Sequence, residues 1–227
     1  MTLSEKLRAA AADIWESYLR HPFIREIADG SLPVEKFKYY MIQDYLYLYD
    51  YSRVFALGVV KGGDPETMRF FADFVYSTLN GEMNIHRFYM ARLGISREEA
   101  ENAKMALTNV SYTHYMLSEG QSGGIAELLV SILSCALSYE YIGRYLAGID
   151  GAADNEFFGE WIRGYVSDEY TEGNKRLIEM TDRLGQGISR QEEDHLTEIF
   201  VNCSLYESRF WDMAYQMGDQ VQSDAGI

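Results

Sequence analysis

The chain has 227 residues, enough for one sizeable hydrophobic core, and its three prolines mark no linker. An apolar fraction of 47% and an aromatic fraction of 14% exclude disorder. The net charge of −15 argues against nucleic acid and against anionic membrane surfaces as partners.

Helical periodicity dominates, and strand alternation is nowhere evident. Leu3, Leu7, Ala11, Ile14 and Tyr18 predict a first helix. Asp29-Gly30-Ser31 reads as a turn, and Pro33 as a first-turn residue of a long second helix that runs to about Lys61. Gly62-Gly63-Asp64-Pro65 stops it and opens a third helix over roughly Glu66 to Leu93, ending at Gly94. Ser96 with Glu99 reads as a capping box for a short helix through about Met105. A helix around Thr108 to Glu119 is expected to break at Gly120 and Gly123-Gly124. Ile125 to Leu146 then makes the most apolar helix, the expected centre of a bundle. Its most apolar part, Ile125 to Leu137, is short for a bilayer span and carries Glu127. Asn155 to about Leu184 predicts one helix, or two joined near Ser167. Ser189 with Glu192 is a second capping box, opening a last helix to about Met217. The expected architecture is all-α, a single-domain helical bundle over 1–220 with 221–227 as a frayed tail.

Cys135 and Cys203 are too few for a disulfide framework, and no secretory signal pattern opens the sequence. Free thiols in a cytoplasmic protein are expected. Cys135 sits mid-helix with Tyr139 one turn on along the same face. It reads either as a small buried thiol filling space or as a nucleophile, and the second needs a polar partner. Asp44 shares a helix face with Tyr47 and Tyr51, beside Leu48 and Phe55. A carboxylate on such a stripe either lines a cavity or points outward at its edge. Glu207 shares a face with Cys203, Phe210, Trp211 and Ala214. Aromatic surroundings raise a carboxylic acid's pKa and suit it to donating a proton; pairing with Arg209 is the alternative. Glu82 and His86 at i, i+4 resemble half a metal site without a second half, and a buried Glu–His hydrogen bond is the expectation. The 18 tyrosines suit either a roomy interior with amphipathic walls or subunit contacts. No phosphate-binding glycine loop occurs.

His21-Pro22-Phe23, then Asp29 to Pro33, Phe37-Lys38-Tyr39-Tyr40 and Gln43-Asp44-Tyr45 form an ordered series with Glu82-Met83, His86 and Ser111-Tyr112-Thr113. Trp161-Ile162 with Tyr165, Tyr206-Glu207 and Phe210 to Tyr215 complete it. In this order and spacing the sequence resembles the TenA/thiaminase II family, aminopyrimidine aminohydrolases, over nearly its whole length. The resemblance implies a heme-oxygenase-like fold, homotetrameric assembly, and no cofactor or metal. It implies release of 4-amino-5-hydroxymethyl-2-methylpyrimidine from the 5-aminomethyl compound and, more slowly, from thiamine, in thiamine salvage. It also implies Cys135 as nucleophile, Glu207 as acid, Tyr47 as activator of Cys135 and Asp44 as the group that binds the ring's amino substituent. Tyr139 and Tyr165 would then hydrogen-bond a small pyrimidine substrate, and Tyr112 and Phe210 would line the pocket. Family members often carry Pro before the cysteine and an aromatic two residues after; here these are Ser134 and Leu137, which bears on pocket width. Cys203 is expected only to pack.

Two other readings compete. An oxidoreductase on the same fold would need metal or a histidine-rich cavity, and four histidines occur in all. A non-catalytic regulatory protein would leave Cys135, Asp44 and Glu207 free of consequence.

Overall fold

A computed structural model describes residues 1–219, among which every regular element is helical. The frayed tail expected at 221–227 lies outside the described residues. The centre of the bundle is the helix Ile125–Ala147, whose residues from Leu128 to Tyr139 are all buried.

The expected first helix is two, α1 (Leu3–Ala10) and α2 (Ala12–Arg20), broken at Ala11. Helix α3 (Pro22–Ala28) had no sequence prediction. His21 caps it: the ring Nδ1 accepts from the Phe23 N–H at 3.1 Å, with Pro22 in the first helical position, where its missing N–H costs nothing. Helix α4 (Val34–Lys61) is the long second helix, with Pro33 as its N-cap rather than inside the first turn. Asp64 caps α5 (Pro65–Ser77), its Oδ1 accepting from the N–H groups of Glu66 and Thr67 at 2.9 Å each.

The predicted third helix is interrupted. Thr78–Glu82 form a π-turn, in which the Met83 N–H reaches back to the Thr78 carbonyl, before α6 (Met83–Arg92) resumes. Helix α7 (Arg97–Asn102) has half of its expected capping box, since Ser96 accepts from the Glu99 N–H without the reciprocal bond. Helix α8 (Leu107–Ser122) runs through Gly120 and stops only at Gly123. The central helix, α9 (Ile125–Ala147), packs against α2, α4 and α8, and against three later helices, α10 (Gly159–Tyr165), α11 (Asp168–Leu184) and α12 (Arg190–Gln216). At 23 residues, with mean hydropathy 1.5 over an 18-residue window, α9 is long and apolar enough to cross a membrane, contrary to the shorter stretch read from sequence; 72% of that window is buried inside the bundle.

Ser167 does join two helices, but the first starts at Gly159, after a 3-10 turn over Ala152–Asp154. Helix α12 carries the full Ser189–Glu192 capping box. One glycine sets how closely two of these helices meet: a Cβ on Gly143 of α9 would stand 2.9 Å from the Tyr165 Cβ, so its absence lets α10 approach α9 closely.

Candidate active site

A cavity of about 390 Å³ opens between the helices, within the range that small-molecule sites occupy. Helix α4 gives it Asp44, Tyr47, Leu48, Tyr51 and Phe55, which share one face at helical spacing. Helix α9 contributes Cys135, Ala136 and Tyr139, and α10 contributes Trp161 and Tyr165. The π-turn and α6 form the facing wall with Thr78, Gly81, Glu82, Ile85 and His86. Helix α11 closes the side next to the thiol. There the Tyr170 hydroxyl and the Asn174 amide each donate to the Ala136 carbonyl at 3.0 Å, pinning α11 to α9.

Asp44 is 4% exposed, so it lines the cavity and does not point outward. Its Oδ2 lies 2.6 Å from His86 Nε2 and accepts from the Tyr40 hydroxyl at 3.2 Å. Tyr40 is held in turn by the Trp161 indole N–H, which donates to its oxygen at 3.2 Å, and by the Tyr139 hydroxyl at 3.3 Å. Its ring is buried between Phe23 and the parallel indole of Trp211, 5.7 Å away. A carboxylate taken out of water is tolerated when donors replace its hydration, and Asp44 has this set.

His86 Nδ1 faces the Glu82 backbone carbonyl at 2.9 Å, which makes that nitrogen a donor. The expected Glu82–His86 side-chain bond is therefore replaced: the histidine uses the Glu82 main chain and reaches across to α4. Burial lowers its pKa, but hydrogen bonding to Asp44 and the Asp44 charge outweigh this and leave it raised, so a proton is available for Nε2 to share with Asp44. Among the described residues no group of three or more His, Cys, Asp or Glu stands together as metal ligands would.

Cys135 is 8% exposed and faces the cavity, where burial pushes its thiol well above the ordinary range. The Glu207 charge pushes the same way, with smaller effects of Glu82 and Asp44, while the nearby Tyr47 hydroxyl opposes them. That hydroxyl donates to Met116 Sδ at 3.6 Å.

Glu207 is 2% exposed and stands behind Cys135, outside the cavity lining. Burial raises it to about 8, and the Tyr112 hydroxyl, donating at 2.8 Å, pulls the other way. Arg209 does not pair with it and lies over the Tyr206 ring. Tyr112 and Phe210, expected on the pocket surface, also belong to this rear layer: Tyr112 holds Glu207, and Phe210 packs edge-on against Tyr47 at 6.0 Å. Ser134 points away from the cavity to Ser204, at 2.9 Å between hydroxyls, and Leu137 is buried elsewhere, so neither sets the width beside the thiol. Cys203 is fully buried and off the cavity.

Tyr40, Trp161 and the Asp44–His86 link carried no assigned role in the sequence. Tyr40 had a signal, lying one turn before Asp44 on the same face. The Asp44–His86 link joins positions 42 residues apart and had none.

The family model described as TENA/THI-4/PQQC matches residues 8–217. An aminopyrimidine aminohydrolase of Halalkalibacterium halodurans is 47% identical over 215 residues, covering 95% of this chain and 96% of that protein. A solved TenA homologue from P. horikoshii superposes with a TM-score of 0.89 at 29% identity, covering 96% of this chain and 100% of the other. A heme oxygenase of Synechocystis gives a TM-score of 0.68 at 10% identity over 93% of this chain and 91% of its own, a likeness of fold alone.

Proposed function

The chain belongs to the TENA/THI-4/PQQC family, and from that premise we propose that it is a hydrolase of aminopyrimidines acting in thiamine salvage. Its substrate is 4-amino-5-aminomethyl-2-methylpyrimidine, converted to the hydroxymethyl compound and ammonia, with thiamine cleaved more slowly. The relative named an aminopyrimidine aminohydrolase supports the reaction class. One observation carries the chemistry: Cys135 faces an aromatic cavity within electrostatic reach of the buried, proton-holding Glu207.

In this reading Asp44 accepts from the ring's 4-amino group, fixed in place by His86 and Tyr40. Tyr139 and Tyr165, whose rings lie 4.8 Å apart, bind the ring by hydrogen bonds and contact. The sulfur of Cys135 bonds to a ring carbon, and a ring nitrogen gains a proton as charge develops there. Glu207, protonated near neutral pH, reaches the ring from the layer behind the cavity wall, past the sulfur; it gives that proton and takes the thiol's, so a raised pKa on both groups is compatible with attack. Tyr47 donates to sulfur as its proton leaves. The amine departs from the exocyclic carbon with the C–N electron pair, as ammonia. Water forms the new C–O bond and gives up a proton, and the C–S bond then breaks with its electrons returning to sulfur, as the ring nitrogen gives up its proton and the thiol is restored. Tyr112 acts through Glu207, and Phe210 through Tyr47.

The two free thiols suit a reducing, cytoplasmic setting. Exposed Tyr76, Ile85 and Phe88 offer apolar surface for the homotetramer that the family resemblance implies, which sedimentation would measure. The activity is tested by incubating the protein with the aminomethyl pyrimidine and with thiamine, without added metal. Faster release of the hydroxymethyl product from the former is expected. A Cys135→Ser protein that keeps full activity would rule the mechanism out.

A further inference from the structure

The cavity lining holds four carboxylates, Asp44, Glu82, Glu160 and Glu169, and among the described residues no lysine or arginine. Three of the four are accounted for. Asp44 is bound by His86, Glu160 is in an ion pair with Arg92, and Glu169 is exposed in the first turn of α11. Glu82 differs. Its carboxyl has no hydrogen-bond or ion-pair partner among the described residues, and the neighbouring cation that favours its charged form, His86, is already engaged with Asp44.

Its depth is also particular. Exposure rises from Asp44 at 4% and Cys135 at 8% on the cavity floor to Ile85 at 55% at the mouth, with Glu82 half-buried between. Burial raises Glu82 to about 7, so near neutral pH a nearby positive charge tips it to the ionised form. In the proposed function Asp44 accepts from the ring's 4-amino group; the exocyclic carbon is on the adjacent ring atom, and Glu82 lies one turn before His86, the residue bound to Asp44.

We propose that Glu82 is a specificity-determining residue that binds a cationic exocyclic substituent of the substrate. The ligand class is a pyrimidine with a positively charged nitrogen on its exocyclic carbon, either a protonated primary amine or a quaternary azolium. An unpaired carboxylate in a partly dry cavity is costly, and a bound cation removes that cost. The tyrosine rings of the same walls attract a cation by their faces. An anionic substituent meets four carboxylates and no lysine or arginine, the one histidine being engaged with Asp44.

The inference takes the ring's orientation from the proposed function, but its test does not use turnover. Binding is measured by calorimetry in Cys135→Ser protein, with the aminomethyl pyrimidine as cation and the hydroxymethyl pyrimidine as neutral probe. The cation is expected to bind about tenfold more tightly, as one charged hydrogen bond supplies. Adding Glu82→Gln should abolish that preference and leave the hydroxymethyl affinity within about threefold, and Glu82→Asp should restore part of it. Equal affinity for both probes, no binding of either, or an equal loss for both in Glu82→Gln overturns the proposal. Hydrolysis by the unmodified protein is scored separately, so a failure of the catalytic reading shows as cation preference without turnover.

Discussion

Cys135 and Cys203 are both buried, both have thiols pushed up by burial, and both feel the Glu207 charge. They differ in what stands on the open side. Cys135 looks into the cavity beside the Tyr47 hydroxyl, while Cys203 is sealed between α12 and its neighbours, off the cavity. Burial therefore marks neither as reactive; access to a cavity separates them.

The largest expected effect breaks the pair apart directly. Cys135→Ala should lower turnover by at least about 10²-fold, as loss of a covalent nucleophile does, whereas Cys203→Ala should stay within about twofold. Steady-state rates on the aminomethyl pyrimidine decide it, and equal losses would mean that the cavity does not distinguish the thiols.

Next, Glu207→Gln should lower kcat by about 10²-fold with KM changed much less, because the acid acts as charge develops. With Glu207 raised to about 8, wild-type activity should fall as pH climbs through that value and the proton is lost. The residual activity of Glu207→Gln should lack this alkaline limb.

The same group sets a stability slope. Its folded pKa lies above the unfolded carboxylate range, so the folded state holds the proton more tightly. That contribution is complete below the unfolded pKa and disappears as pH rises through about 8. Urea midpoints of the wild type should drop between pH 6 and 9 more than those of Glu207→Gln.

The smallest effects sharpen the comparison from the packing side. Cys203→Ser places a hydroxyl in a dry, fully buried position and should cost about 1–3 kcal/mol. Cys135→Ser should cost less, because cavity water can solvate the new hydroxyl, and denaturant titration of the two proteins measures the difference.

How much the sequence made legible depends on how local each signal is. Asp64-Pro65 and Ser189 with Glu192 placed helix starts correctly, because a cap is written within four residues. The shared face of Asp44, Tyr47 and Tyr51 was equally local. The seven residues of α3 were too few to show periodicity, and the break at Ala11 left the apolar spacing of α1 and α2 undisturbed. Periodicity also gave the face that carries Glu207 but not its depth, so Glu207, Tyr112 and Phe210 sit one layer further back than expected. The Asp44–His86 bond is a meeting of two helices, which no spacing along one chain segment encodes.

The π-turn at Thr78–Glu82 has a genetic corollary. Such a turn differs from ordinary helix by one extra residue. Removal of a single codon within it would let α5 and α6 merge into one α-helix with the flanking turns close to their present phase, because the wide turn already absorbs the roughly 100° that one residue adds. What would be lost is the wide turn itself, and with it the seat of Glu82, while the Cys135 wall, carried on an unbroken helix, would be left as it is.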